Sequence, residues 1–241
     1  MTARYAIYYA PPADTPLWRK AAAWLGRDAY TGEAHARPRL PNLDGLDLDA
    51  LTADPRGYGF HATLKAPFEL AADTTETELL TAAEQFVARR SSFEAAIAPA
   101  ALGRFLAFRL QDGEAELQAL HAACVRDFEP FRAPLSDHDL ARRRTAPLTP
   151  EQDDRLTAWG YPYVFEDFRF HMTLTGLIRD EALRAQVLEA LGEHFAAETG
   201  PHRFDGIAVF KQADRAQPFD ILQRFDFAAL ALAGADVPNF G

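Results

Sequence analysis

The chain contains one five-residue pattern twice. Residues 60–64 read FHATL and residues 170–174 read FHMTL, so both fit F-H-x-T-L. The two histidines are 110 residues apart (171 − 61), close to half of the 241-residue chain. A helix and two closing strands are predicted after each copy. A repeat at this spacing predicts an ancient duplication that yields two matched lobes.

Both copies lie in segments rich in strand-forming residues, where successive side chains point to opposite faces. The alternation predicts that His61, Thr63 and Lys65 share one face of the first strand, and that His171 and Thr173 share one face of the second. The apolar residues between them would fill the other face. If a pseudo-two-fold axis relates the lobes, the two polar faces meet across a cleft.

The remaining segments predict strands mixed with helices. Predicted strands cover 4–10, 58–68, 93–97, 102–110, 168–176, 204–211 and 219–227, and predicted helices cover 16–26, 75–90, 113–128, 136–144, 149–159 and 180–198. Because strands and helices do not alternate strictly, we predict the α+β class. The expected fold is bilobal, duplicated and pseudo-two-fold, with antiparallel or mixed sheets and outer helices around a central cleft. We expect residues 1–241 to form one domain of two lobes, with a helical insertion at about 136–160.

Composition restricts the classes of partner. The formal net charge is −10, which disfavours long nucleic acid as the main partner and still allows a small anionic substrate. Cys124 is the one cysteine, so we expect no internal disulfide and no cysteine metal cluster. The sequence shows neither a secretory pattern nor a span-length apolar stretch. We therefore expect a cytoplasmic protein with no membrane partner; the oligomeric state stays open.

Two histidines and two threonines around one small volume suit in-line displacement at phosphorus. That chemistry needs a base on the attacking oxygen and an acid on the leaving oxygen, and histidine titrates near neutrality. The threonine hydroxyls can hydrogen-bond the non-bridging oxygens, where charge must be held. No metal and no cofactor are needed. Neither GxGxxG nor GxxxxGK[ST] is present, which disfavours ATP-driven chemistry and a dinucleotide cofactor.

The sequence resembles the 2H phosphoesterase superfamily, which carries paired H-x-T/S motifs on strands half a chain apart. That superfamily includes the 2′-5′ RNA ligase-like proteins and the cyclic nucleotide phosphodiesterases. The surrounding stretches YGFHATLKAPF, FRAPL, LARRR and GYPYVFEDFRFHMTLTG are similar to its bacterial, DUF1045-like branch, which is associated with phosphonate-utilisation gene clusters.

The resemblance implies a bilobal fold and metal-independent hydrolysis of a small phosphodiester, such as a 2′,3′-cyclic nucleotide or a ribose cyclic phosphate. It also implies that His61 and His171 form the acid–base pair and that Thr63 and Thr173 bind the phosphate. Which histidine is the acid stays open.

Further residues are candidates for substrate binding, each with a structural alternative. Lys65 could hold a phosphate as a point charge, or reach solvent at the strand end. Tyr8 could line the cleft or pack in the core. Tyr163 could stack a ring or pack beside a turn. Arg132 and the run Arg142–Arg144 could attract a second phosphate or form a solvated helix face.

Two alternatives to a phosphodiesterase remain at this point. A non-catalytic module could use the same cleft to bind a nucleotide or sugar phosphate. A metal hydrolase could use the two motif histidines with an acidic ligand, although neither histidine lies in a compact ligand motif.

Overall fold

The strands form a single eight-stranded sheet. The structure is a computed structural model and describes residues 2–228. Within that range the strands are β1 Arg4–Tyr9, β2 Ala62–Phe68, β3 Phe93–Leu102, β4 Phe105–Leu110, β5 Met172–Thr173, β6 Gly200–Phe204, β7 Gly206–Gln212 and β8 Asp220–Asp226. Their order is β6-β3-β4-β5-β2-β1-β7-β8, and every adjacent pair is antiparallel. The predicted α+β class is confirmed.

Most of the helices begin after a polar N-cap residue whose side chain accepts a hydrogen bond from the first turn. The helices are α1 Pro16–Leu25, α2 Leu48–Leu51, α3 Ala53–Arg56, α4 Glu76–Val87, α5 Glu114–Asp127, α6 Asp137–Arg143, α7 Pro150–Trp159 and α8 Glu181–His194. Thr75 and Thr149 each start a helix through a capping box, with Glu78 and Gln152 as the reciprocal partners. Between residues 2 and 228, no helix has the length and apolarity that a bilayer crossing needs.

The two halves of the repeat interlock within the sheet. The motif strands β2 and β5 are neighbours at its centre, flanked by β1 and β4. Strand β1 precedes the first motif and β4 precedes the second, and each lies beside its own motif strand. Strand β3 follows the first motif yet pairs with β4, and β7 follows the second motif yet pairs with β1. Each half therefore supplies a strand to the other half. This exchange yields one continuous sheet with the two motifs side by side.

The sequence predicted two closing strands after the second motif, and the structure has three. The predicted strand 204–211 corresponds to β7 and includes only Phe204 of β6, so the sequence analysis missed β6, which Asp205 alone separates from β7. Strand β6 contains Pro201 and lies at the edge of the sheet, the position that tolerates a proline.

One face of the sheet is the core face. The alternate residues Phe60, Ala62 and Leu64 are buried, as are their counterparts Phe170, Met172 and Leu174. Helices α1, α4, α5 and α8 contribute to the same apolar cluster.

Helix α5 carries Cys124, which is free and buried. Burial raises the pKa of its thiol.

The predicted insertion contains α6 and α7, which are tied to the rest of the molecule by charged contacts. Asp139 of α6 pairs with Arg215 from the β7–β8 connection at 2.8 Å. At the end of α7, the Ala158 carbonyl accepts a hydrogen bond from Arg132 at 3.0 Å. These contacts hold the C-terminal end of α6 beside the polar face of the sheet, where Arg142 and Arg143 share a cavity with motif residues.

Candidate active site

The two motifs touch at their middle residues. Ala62 of β2 is the antiparallel partner of Met172 of β5. Both are buried on the core face, so the histidine and threonine on either side of each point to the opposite face. The pseudo-two-fold relation of the halves is centred on this contact between the motifs.

Four polar side chains therefore meet on the other face. Extending the register by one residue each way places His61 opposite Thr173 and Thr63 opposite His171. Directly opposite residues in an antiparallel pair have Cβ atoms about 4.5–5.5 Å apart, and diagonal ones about 7–8 Å apart. The imidazoles are thus diagonal neighbours, each facing a hydroxyl of the other motif. The predicted meeting of the motifs occurs between adjacent strands of one sheet.

Both histidines are held in the same tautomer. His61 Nδ1 lies 2.9 Å from the Gly59 carbonyl, and His171 Nδ1 lies 2.7 Å from the Arg169 carbonyl. Since a carbonyl can only accept, each Nδ1 carries the proton and each Nε2 is left as the exchangeable nitrogen. The Thr63 hydroxyl lies 3.4 Å from His61 Nε2. Two backbone carbonyls, each two residues before its histidine, orient a matched pair of bases.

Burial keeps both imidazoles neutral near pH 7. It lowers the pKa of His61 to about 4, with the nearby His171 adding to the effect. Burial likewise lowers the pKa of His171, and the charge of Arg109 adds to it. A phosphate anion beside them acts in the opposite direction, because negative charge favours the imidazolium form.

His61, Thr63 and Thr173 line a cavity of about 320 Å³, with Tyr8, Tyr58 and Tyr161 in its walls, whereas His171 lies outside this lining. Tyr8 stacks on the His61 ring at a centroid distance of 3.9 Å. Of the two alternatives for Tyr8, the structure shows features of both: the residue lines the cavity, and its side chain is buried. Its contact with a substrate stays a prediction. Among residues 2–228, no three His, Cys, Asp or Glu side chains are grouped so as to hold a metal ion.

Three arginines share this cavity with the motif residues: Arg4, Arg142 and Arg143. Arg4 was missed by sequence reasoning, although it lies four residues before Tyr8 on the same strand and has the same parity. Arg144, the third member of the predicted run, instead pairs with Asp153.

Lys65 does not share the face of the motif residues, so that prediction is wrong. Thr63 pairs with Tyr8 and Lys65 pairs with Ile7, so β2 advances two residues while β1 advances one. This β-bulge reverses the alternation beyond Thr63. The Lys65 side chain is buried and forms an ion pair with Glu129 at 2.6 Å.

Arg132 and Tyr163 also lie away from the cavity lining. Arg132 is engaged by Glu129 at 2.6 Å and by backbone carbonyls. Tyr163 is 39% exposed and packs edge-on against Tyr161. The structure brings neither side chain to the predicted substrate site.

Arg109 is a second site residue that the sequence did not reveal. Its strand β4 pairs with β5 so that Ala107 is opposite Thr173, which places Arg109 opposite His171. The Arg109 Nε is buried without a hydrogen-bond partner among the residues that the structure describes. The alternation along β4 puts Ala107 and Arg109 on one face and could be predicted from the sequence. The pairing of β4 with β5, which brings that face beside His171, could not.

The fold and the site define an α+β protein with a duplicated histidine–threonine pair on the central strands of one antiparallel sheet. The chain belongs to the family described as "Protein of unknown function (DUF1045)", whose model matches residues 63–220.

Two curated bacterial proteins are similar to this chain, and both are named "Ribose 1,5-bisphosphate phosphokinase PhnN". The protein from Janthinobacterium sp. (strain Marseille) is 37% identical over 245 residues, covering 99% of this chain and 53% of the relative. The protein from Laribacter hongkongensis (strain HLHK9) is 33% identical over 216 residues, covering 90% and 50%. The chain thus spans about half the length of the curated relatives it matches.

Solved structures with a similar course of the chain are more distant. The crystal structure of TT0787 of Thermus thermophilus is 13% identical with a TM-score of 0.44, covering 94% of this chain and 99% of that one. A crystal structure titled as a phosphoesterase is 14% identical with a TM-score of 0.40, covering 93% and 98%. Usb1 of Kluyveromyces marxianus is 14% identical with a TM-score of 0.35, covering 91% and 98%.

Proposed function

We propose that this protein is a metal-independent phosphodiesterase that hydrolyses a small cyclic phosphodiester by two-histidine acid–base catalysis. The observation that carries the proposal is the diagonal arrangement of His61 and His171, both with Nδ1 bound to a backbone carbonyl and Nε2 unprotonated. Two matched bases on one polar face fit a reaction that removes one proton and supplies another.

The reaction is an in-line displacement at phosphorus. The neutral Nε2 of one histidine takes a proton from water as the water oxygen bonds to phosphorus. The bond from phosphorus to the ring oxygen breaks, and that oxygen takes the proton from Nε2 of the other, protonated histidine. The products are a phosphate monoester and a free hydroxyl. Either histidine can take either role, because the two are related by the pseudo-two-fold symmetry.

Thr63 and Thr173 supply hydroxyl donors for the non-bridging oxygens, where negative charge develops during the displacement. The phosphate also prepares the acid. Burial keeps both imidazoles neutral, and the arriving anion raises their pKa so that one of them can hold a proton.

The candidate substrates are a 2′,3′-cyclic nucleotide and a ribose cyclic phosphate. The relatives named for ribose 1,5-bisphosphate favour the ribose compound, whose ring opening gives a ribose phosphate monoester. We propose a role in phosphonate metabolism, the setting of the family branch that the motifs resemble.

The proposal is tested by assaying the protein against cyclic phosphates in excess chelator. We expect turnover that chelation leaves unchanged and a bell-shaped dependence of kcat/KM on pH. His61→Ala and His171→Ala should each abolish most of the activity. The matched control is His138→Ala, since His138 is an exposed histidine of α6.

Loss of activity on chelation would contradict metal-independent catalysis, as would full activity after either motif substitution. Binding of a cyclic phosphate with no turnover of any compound would instead support a non-catalytic binding module.

A further inference from the structure

The cavity lined by His61, Thr63 and Thr173 also has a cationic region. Arg4, Arg142 and Arg143 line it together with His61 and Thr63. Among residues 2–228, no carboxylate forms an ion pair with Arg4 or Arg143. Arg4 donates to the neutral amide oxygen of Gln212, which leaves its charge uncompensated.

The neighbouring carboxylates do not balance this charge. Asp139 is shared between Arg142, at 3.3 Å, and Arg215, at 2.8 Å, and Arg215 also pairs with Glu69 at 3.0 Å. Four guanidinium groups thus lie near two carboxylates in a chain of net charge −10. The local excess of charge is therefore positive, whereas the net charge of the whole chain is negative.

The arginines repel one another in a partly buried setting. Burial lowers the pKa of Arg4, and the charge of Arg215 adds to it. Burial lowers the pKa of Arg143, and the Arg142 charge contributes. The Arg143 Nε is buried without a hydrogen-bond partner in the described part of the chain, and its guanidinium lies 5.2 Å from the centre of the Tyr161 ring. A bound anion would satisfy these groups together.

The cationic region is separate from the reacting centre. Thr63 is the strand partner of Tyr8, and Arg4 lies four residues further along β1. At about 3.3 Å per residue, the two backbone positions are about 13 Å apart. An anion at the arginines is therefore a different group from a phosphate at the histidines, although His61 and the arginines line one cavity.

We infer that the cavity contains a second phosphate subsite, in which Arg4, Arg142 and Arg143 bind a terminal phosphate monoester on the substrate. The inference rests on the proposed phosphodiesterase function and narrows its substrate class to cyclic phosphodiesters with a phosphate monoester at the far end of the sugar. Guanidinium groups suit this role because their paired donors match phosphate oxygens.

The first test compares two substrates that differ only in the terminal phosphate: adenosine 2′,3′-cyclic phosphate with and without a 5′-phosphate. We expect kcat/KM to be about 10- to 100-fold higher for the 5′-phosphorylated compound. Equal values for the two compounds would overturn the inference.

Three variants assign that preference to residues. Arg142→Gln and Arg143→Gln should remove most of the preference while retaining turnover of the compound without a 5′-phosphate. Arg144→Gln is the matched control, because Arg144 lies on the same helix end and pairs with Asp153 outside the cavity. Arg142 is exposed, so its substitution tests the subsite even if the Arg143 variant does not fold. A preference that survives in Arg142→Gln would count against the assignment.

A binding measurement separates this inference from the proposed function. Ribose 5-phosphate has a terminal monoester and no cyclic diester, so its titration by calorimetry needs no turnover. We expect the unmodified protein and Arg144→Gln to bind it, and Arg142→Gln to bind at least about tenfold more weakly. Binding in that pattern without turnover of any cyclic phosphate would refute the phosphodiesterase and keep the subsite. No binding to the unmodified protein would refute the subsite.

Discussion

At the scale of single residues, each motif histidine combines a fixed tautomer with a depressed basicity. The backbone carbonyls of Gly59 and Arg169 fix the proton on Nδ1. Burial makes the imidazolium form costly, which favours a general base over a resident acid. In the proposed mechanism, the acid must therefore be created when the substrate anion arrives.

Phosphate binding should consequently raise the pKa of both His61 and His171. We expect NMR pH titrations of the imidazole nitrogens to show both values moving upward when inorganic phosphate is added. His202 is the internal control, since burial also lowers its pKa to about 4 but its ring bonds Tyr9 instead of facing the cavity. Unchanged titrations of both motif histidines in saturating phosphate would contradict the acid–base proposal.

The motif hydroxyls give a second prediction at this scale. Thr63→Val and Thr173→Val should each lower kcat about 10²- to 10³-fold, the usual effect of losing one donor to a developing negative charge. The corresponding changes to Ser, which keep the hydroxyl, should retain most of the activity.

Thr157→Val is the matched control, because Thr157 is exposed on α7 and bonds only the backbone of its own helix. Steady-state kinetics would refute the role of the hydroxyls if the Val variants kept full kcat.

At the scale of elements, the β-bulge in β2 decides which side chains reach the site. A strict alternation along 61, 63 and 65 placed Lys65 beside the histidines. The extra residue between the pairs formed by Thr63 and Lys65 turns the lysine to the helical side, where it donates to the Val125 carbonyl of α5. A bulge depends on how two distant strands pair, so the local sequence does not show it.

Lys65→Met should therefore reduce stability and leave catalysis intact. Removing the lysine takes one of two cationic partners from Glu129, which keeps Arg132, and leaves the Val125 carbonyl without its donor. We expect the free energy of unfolding to fall by about 1–3 kcal/mol. This is somewhat less than the cost for a fully buried pair, because the Glu129 side chain is 24% exposed. Urea denaturation measures the loss, and kcat/KM for a cyclic phosphate should stay within about twofold.

The matched control is Lys211→Met, which breaks a more exposed ion pair with Glu76 and should cost at most about 1 kcal/mol. An Lys65→Met protein with unchanged stability and a raised KM would restore the discarded phosphate-binding role.

At the scale of the whole molecule, the repeat predicted the duplicated arrangement and the four motif side chains on one face. It did not predict that the halves exchange strands, because which strands pair in a sheet depends on residues far apart in the sequence. Strand length was also not predictable from the pattern: the sequence predicted a strand over 168–176, yet only Met172–Thr173 form one. Arg4 and Arg109 join the site because β1 and β4 flank the motif strands.

The burial of several histidines in one molecule gives a prediction for the pH dependence of folding. His61, His121 and His202 are buried enough that each pKa is lowered from 6.5 to about 4. Above pH 6.5 these groups are neutral in both the folded and the unfolded chain. Below pH 6.5 the unfolded chain binds protons that the folded protein excludes, so the free energy of unfolding falls as pH falls toward 4.

The limit of this effect follows from the proton count. Each excluded proton reduces the free energy of unfolding by at most about 1.4 kcal/mol per pH unit, and His171 and His194, whose pKa burial also lowers, add to the effect of these three. Asp139, whose pKa Arg215 lowers to about 2, and Glu76, whose pKa Lys211 lowers, respond below about pH 5, so the window from 6.5 to 5 reports the histidines. Urea denaturation at several pH values measures the slope, and His121→Gln should make it shallower by removing one group. A free energy of unfolding that stays constant from pH 6.5 to 5 would mean that the histidines titrate normally, and the neutral base assigned to the site would lose its physical basis.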